Sequence, residues 1–180
     1  PIQVFQFANI LGFYRTEEKR LIRDALLFVP RKYSKTTSVA SLAIYDLLFG
    51  DANAQSYVAA NNYNQAQICF SEIKNILKCL DPKFRHFKIN REQVFNKMQG
   101  KTSFARCLAS NADKLDGLNA SMVILDEYSQ ADSAALKNVL TSSMGARINP
   151  LTVVITTASD KLESPFVDML ESYKACLLYT

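Results

Sequence analysis

Phe28-Val29-Pro30-Arg31-Lys32-Tyr33-Ser34-Lys35-Thr36-Thr37 closes an apolar run, Ala25 to Val29, and opens a stretch where Val39, Ala40, Ala43, Ile44, Leu47 and Leu48 recur at helical spacing. Strand, turn and amphipathic helix in that order are the setting of a phosphate-binding loop. Such a loop aims backbone N–H groups and a helix N-terminus at phosphate oxygens, reaches the outer phosphates with a lysine and holds Mg²⁺ with a hydroxyl. Lys35 and Thr36 stand in the last two places, with Arg31, Lys32, Tyr33, Ser34 and Thr37 around them. Neither glycine of G-x-x-x-x-G-K-[ST] is present: Val29 holds the first position and Ser34 the second. If the loop needs a left-handed backbone at Ser34, a non-glycine residue there costs about 1 kcal/mol. The alternative is an ordinary strand–turn–helix with a surface lysine.

A second constellation lies far along the chain. Met122-Val123-Ile124-Leu125 runs into Asp126-Glu127, placing two carboxylates at the end of a buried strand. In an open α/β sheet that edge binds ligands. Asp126 is then the acid of a Mg²⁺ shell and Glu127 the general base for an attacking water. The alternative is a pair of acids capping the next helix. A third buried strand, Leu151 to Thr156, ends in Thr156-Thr157-Ala158-Ser159, whose hydroxyls can sense a γ-phosphate through water or merely fill a strand and turn. Phosphoryl transfer also needs positive charge at the transition state, for which Arg31 is the first candidate, weighed against a surface or DNA-facing role.

Between these motifs, strands and helices alternate. Residues 2 to 14 read as a short helix and Ser56 to Ala60 as a strand. A helix over about residues 63 to 80 carries Ala66, Cys69, Phe70, Ile73, Ile76, Leu77 and Leu80 and stops before Pro82. Short strands follow at Phe84–Ile89, around Val94-Phe95 and at Ser103–Leu108, then a polar loop over Ala109–Asn119. A helix from about Ala131 to Met144 and a final one after Ser164-Pro165 complete the pattern. The expectation is an α/β fold, a P-loop NTPase with a largely parallel central sheet flanked by helices and some added antiparallel strands.

Composition bounds the function. The 180 residues, 48% hydrophobic, suit one globular domain over 1–180, and 21 Lys+Arg against 17 Asp+Glu give a net charge of +4 that permits a polyanionic partner. Cys69, Cys79, Cys107 and Cys176 show no C-x-x-C spacing and His86 is the only histidine, so free thiols in a reducing compartment are expected rather than zinc. No apolar run is long enough to span a bilayer. The chain starts at Pro1, as a piece of something longer does.

The ordered set of motifs resembles the ATPase domain of the large terminase subunit of tailed bacteriophages, over nearly the whole chain. Pro1-Ile2-Gln3-Val4-Phe5 with Ala8-Asn9-Ile10-Leu11-Gly12 looks like that family's adenine-recognising segment, with Gln3 in the place of its glutamine. Val29 to Thr36 is similar to its variant Walker A loop, which also carries an early arginine. Asp116-Gly117-Leu118, the Walker B stretch Val123 to Glu127, Gly145-Ala146-Arg147 and Thr156-Thr157-Ala158 fall in matching order. Against the pattern, Ser34 and Ser159 stand where glycine is usual, and Asp116 stands where members carry an arginine before the Walker B stretch.

The resemblance implies a motor that hydrolyses Mg²⁺-bound ATP to drive double-stranded DNA into a procapsid. Its implied partners are a small terminase subunit, the portal ring and further ATPase subunits in a homo-oligomeric ring, in the cytoplasm of an infected bacterial host, with no membrane. It assigns coupling to Thr156 and Thr157, and Arg147 is the candidate for an arginine acting across a subunit boundary in place of Asp116; the alternative for Arg147 is a loop arginine bonding helix carbonyls. Members also carry a C-terminal nuclease domain, and none follows Thr180, so ATPase chemistry without cleavage is expected. Two other readings stand: a helicase-like DNA translocase half, and a nucleotide-binding module that has lost turnover.

Overall fold

The computed structural model describes residues 2–108, 115 and 117–178. Asp116, Pro1 and most of the polar loop expected over 109–119 lie outside the described residues. The elements in chain order are α1 (Ile2–Gly12), β1 (Asp24–Phe28), α2 (Lys35–Phe49), β2 (Gln55–Ala60), α3 (Tyr63–Leu80), β3 (Phe87–Ile89), β4 (Gln93–Asn96), β5 (Phe104–Cys107), β6 (Met122–Asp126), α4 (Ala135–Ser142), β7 (Leu151–Thr156) and α5 (Pro165–Leu178).

Seven strands form one sheet in the order β1-β7-β6-β2-β5-β4-β3. β1, β7, β6, β2 and β5 run parallel, whereas β4 and β3 are antiparallel additions at the far edge. β2, β6 and β7 are almost wholly buried because helices cover both faces, whereas β1, at the edge, buries only Ala25. Alternate residues serve the two layers: Val58, Ile124, Val153 and Ile155 pack with Val39, Ala43, Leu47, Phe70 and Ile73 of α2 and α3. Tyr57, Ala59, Val123, Leu125 and Val154 pack with Leu140, Phe166 and Met169 of α4 and α5. The period of two along each strand therefore fixes which helix pair each residue meets.

Two expected elements change shape. The strand expected from Phe84 begins only at Phe87, because the buried Asp81 carboxylate takes the backbone N–H groups of Arg85, His86 and Phe87 at 3.0, 2.7 and 3.0 Å and folds residues 82–86 into a turn. The helix expected over Ala131–Met144 contracts to Ala135–Ser142, and a 3-10 turn, Tyr128–Gln130, precedes it. That turn arises because Glu127 leaves β6 in a left-handed conformation, φ 53° and ψ 41°, which reverses the chain at once.

Register brings three strand ends to one edge. Phe28 of β1 pairs with Thr156 of β7, and Asp126 of β6 pairs with Ile155. Since these strands are parallel, the chain leaves all three at nearly the same level, at the carboxyl edge where α/β sheets bind ligands.

Candidate active site

The loop leaving β1 is shaped by two residues that L side chains adopt reluctantly. Lys32 has φ 66° and Ser34 has φ 54° with ψ 30°, both left-handed. Positive-φ residues in such a turn make a concave nest of backbone N–H groups, the usual cradle for an anion. Ser34 is also the residue before the first turn of α2; its hydroxyl makes no capping bond, and its carbonyl accepts from Ser38 N and Ser38 Oγ, each at 3.1 Å. The first turn of α2 contains no acidic residue, so its open N–H groups and the positive end of its dipole have no internal counter-charge. The backbone anchors this loop to the neighbouring strand through Val29 N donating to Thr156 O at 3.2 Å.

Lys35, the first residue of α2, reaches across to the end of β6. Its ammonium is hydrogen-bonded to a carboxylate oxygen of Glu127 and lies 3.8 Å from Asp126 Oδ1. Lys35 and Asp126 are largely buried, their side chains 14% and 6% exposed, and Glu127 is 26% exposed. Burial raises the Asp126 carboxyl above the ordinary aspartate value; the nearby Lys35 pulls it back, and the Glu127 charge pushes it further up. Asp126 Oδ1 also accepts the Glu127 backbone N–H at 2.9 Å, which fixes its orientation. Two acids and one lysine at the mouth of buried strands make a site built to hold positive charge and polarise a phosphate oxygen.

Thr36 sits in the first turn of α2, half-buried, beside these groups in sequence. The Thr37 hydroxyl donates to Glu72 Oε1 of α3 at 3.1 Å, linking the two helices. Arg31 is exposed on the loop. Gln3 lies with Ile2, Lys32, Tyr33 and Ser34 around a shallow pocket, so the fold brings the α1 segment to the phosphate loop.

The end of β7 is wired to the chain just after Glu127. Thr156 is fully buried; its hydroxyl accepts Ser129 N at 3.0 Å and donates to Thr157 O at 3.3 Å. Thr157 is buried beside it. Ser159 Oγ accepts Gln130 Nε2 at 2.7 Å, and Asn61, at the end of β2, donates to Gln130 O at 2.9 Å. Asn61, Ser129 and Gln130 have no motif signature; a strand-ending asparagine is the only sign that the sequence offers. They tie the strand ends of β2, β6 and β7 together around a cleft lined by Asn61, Asp126, Tyr128 and Asp132.

Arg147 lies apart from these groups, and the role expected of it toward a neighbour's nucleotide stands beside a set of partners within its own chain. It lies at the opposite edge, where strands begin, with its side chain 5% exposed. Nε and Nη2 donate to Asn119 O at 3.2 and 2.7 Å, Nη2 also to Asn53 O at 2.9 Å, and Nη1 to Asn53 Oδ1 at 2.8 Å. Asp51 Oδ2 completes the set at 3.5 Å from Nη1. Its N–H donors meet carbonyl and carboxylate oxygens in a planar fork, the contact to the exposed Asp51 being the longest.

Comparison with known proteins identifies the family and the fold. The family model for the terminase large subunit, ATPase domain, matches residues 1–175. No curated protein matches the chain. Among solved structures, the HK97 bacteriophage large terminase superposes with a TM-score of 0.77 at 22% identity, covering 96% of this chain and 37% of that one. A large terminase from a thermophilic bacteriophage, solved in complex with ADP, gives 0.60 at 14% identity over 83% of this chain and 38% of that one. The N-terminal domain of the DNA packaging ATPase of bacteriophage phi29 gives 0.55 at 12% identity, covering 83% of this chain and 79% of that domain. The chain thus spans little more than a third of the first two, and at these identities the likeness is one of fold. With its loop, acids and strand order in place and the family model matched over residues 1–175, the chain belongs to the family of terminase large subunit ATPase domains.

Proposed function

We propose that this chain hydrolyses Mg²⁺-bound ATP and couples the cycle to translocation of double-stranded DNA into a viral procapsid. The observation that carries the reading is Lys35 of the loop helix meeting Asp126 and Glu127 of the β6 end. In this account the loop N–H groups and α2 N-terminus bind the phosphates, Lys35 moves from Glu127 to the outer phosphates, and Glu127, so released, orients and deprotonates the attacking water. Gln3 reads the adenine, and Lys32, Tyr33 and Ser34 line its approach. Arg31, exposed on the loop, neutralises transition-state charge. Thr156 and Thr157 transmit the phosphate state through the bond to Ser129.

Mg²⁺ suits the residues present. Thr36 and Asp126 offer the hard oxygen donors it prefers, and Asp126 Oδ1, 3.8 Å from the Lys35 ammonium, already faces a cation. When bound, the ion neutralises charge on the β- and γ-phosphates. The further partners that the family implies, a portal ring, a small terminase subunit and sister subunits in a ring, belong to the same proposal, as does the setting in the host cytoplasm. No helix among the described residues is long and apolar enough to cross a membrane.

A second reading, nucleotide binding without turnover, is favoured by the hold of Lys35 on Glu127 and by the strained Ser34. Phosphate release by the purified chain separates the two. Mg²⁺-dependent turnover that rises with duplex DNA supports the motor; tight ATP binding with no turnover, with or without DNA, supports the alternative.

A further inference from the structure

The charge of this chain is not evenly spread. Between Lys74 and Arg106 lie nine of its 21 Lys and Arg but only two of its 17 Asp and Glu. That segment carries a surplus of seven positive charges, and the rest of the chain a surplus of three negative ones. It comprises the C-terminal end of α3, the turn into β3, and the β3–β4–β5 edge of the sheet.

Both acids of the segment are already engaged. Asp81 is buried and saturated by three backbone N–H groups, and Glu92 accepts the Tyr63 hydroxyl at 2.6 Å. Among the described residues no ion pair joins any of the nine cations to a carboxylate; the pairs that form involve Lys35, Lys137, Arg147, Lys161 and Lys174. Lys78, Lys83, Arg85, Lys88, Arg91 and Arg106 are exposed.

The surface is held in shape. Asp81 locks the turn, Phe84 adopts φ 49° there, and Lys97 braces it by donating its backbone N–H to His86 O at 2.7 Å and its ammonium to Phe84 O at 3.1 Å. Lys83 and Arg85 project from this fixed turn beside the 46%-exposed ring of Phe84. On the hairpin, Lys88 pairs in register with Phe95 and Arg106 with Gln93, whereas Phe87, Val94 and Ala105 are buried in the core, so Lys88 and Arg106 share the opposite face. Lysine on an edge strand also deters edge-to-edge pairing, but Lys88 alone serves that end. The cations on α3 and in both turns exceed it.

We propose that this edge is the surface on which the chain holds the phosphate backbone of double-stranded DNA; the inference rests on the motor reading above and says where that reading places the track. Exposed cations without carboxylate partners on a hydrogen-bonded turn and hairpin attract phosphates, and they confer affinity without sequence preference. β3 and β1 are opposite edges of the seven-stranded sheet, six strand spacings or about 29 Å apart, so DNA here does not compete with ATP at the β1 loop.

The test is binding of a fluorescein-labelled mixed-sequence duplex of roughly 30 base pairs to the full chain, followed by anisotropy between about 50 and 200 mM salt. The triple variant Lys83→Ala, Arg85→Ala, Lys88→Ala is compared with Arg15→Ala, Lys19→Ala, Lys174→Ala, which removes equal charge elsewhere. The first set should weaken binding at least about tenfold and flatten the log–log salt slope by about 2.7, three phosphates' worth, with ATP binding and melting temperature unchanged. The second set should do neither. Equal weakening by both sets, or none by the first, overturns the proposal and leaves the motor reading standing. So does a first set that keeps DNA affinity but loses binding to polyglutamate, which would make the edge a dock for an acidic protein. Absence of duplex binding by the unsubstituted chain at the lowest salt overturns the motor reading itself, and this surface with it.

Discussion

Lys35 of the phosphate loop is paired with Glu127 at the end of β6. The cation that would bind outer phosphates and the acid that would activate water neutralise each other when no nucleotide is bound. On the function proposed above, ATP would compete for the ammonium and in taking it release the base, so that binding itself would arm hydrolysis.

Glu127→Ala frees Lys35 without touching the loop, so ATP should bind as tightly as before or more tightly, while turnover falls at least about 100-fold, the low end of what a general base contributes. Lys35→Ala should lose both. Isothermal titration with a non-hydrolysable ATP analogue, set beside phosphate release, checks the split. A Glu127→Ala protein that keeps most of its turnover removes the base assignment.

Ser34 is left-handed in the folded chain, so its strain lies in the fold. Ser34→Gly should therefore stabilise the chain by up to about 1 kcal/mol, seen as a rise in melting temperature, with nucleotide affinity little changed. A several-fold loss of affinity would instead show that the serine hydroxyl contacts phosphate.

Asp126 has its carboxyl raised above the ordinary value of 3.8 chiefly by burial. For a group whose folded-state value is raised, the stabilising contribution is complete below the unfolded value and is lost as pH climbs through the folded value. Asp126→Asn removes that titration. Its melting temperature should match or exceed that of the unsubstituted chain, with the gap opening from about pH 4 toward neutrality, while Mg²⁺-dependent turnover is lost. A gap that closes on raising the pH would mean that Lys35 outweighs burial at this carboxylate.

Arg147 joins Asn53, before β2, to Asn119, before β6, at the end of the sheet remote from the loop. Arg147→Ala removes the hydrogen bonds that tie Asn53 to Asn119 and should cost about 1–3 kcal/mol of stability, read by urea denaturation. Turnover per folded molecule should stay the same at dilute and concentrated protein. Loss of turnover only at high concentration, rescued by mixing with Lys35→Ala subunits, would restore a role across a subunit boundary.

The architecture was legible because its signals are local. Alternating apolar runs and amphipathic stretches announce strands and helices, and Lys35-Thr36 and Asp126-Glu127 announce themselves as motifs at strand ends. What stayed hidden depends on tertiary partners. Arg147 reads as a loop arginine near a helix break until its five hydrogen bonds are seen. Thr37 reads as part of the phosphate loop, and nothing in the sequence announces its bond to Glu72 of α3. The shortened β3 follows from Asp81, whose three backbone bonds no periodicity reveals. The basic edge emerges only when the turn after α3 and the short strands fold together, since in sequence its cations are diluted among apolar residues.

The measurement that bears most directly on the account is steady-state phosphate release by the full chain with Mg²⁺ and ATP, with and without duplex DNA, for the unsubstituted protein, Lys35→Ala and Glu127→Gln. The account predicts turnover in the unsubstituted chain that rises with DNA and is abolished by chelating Mg²⁺, no turnover in either variant, and ATP binding retained only in Glu127→Gln. Turnover in Glu127→Gln equal to the unsubstituted chain, or tight ATP binding by the unsubstituted chain with no turnover under any of these conditions, would contradict it.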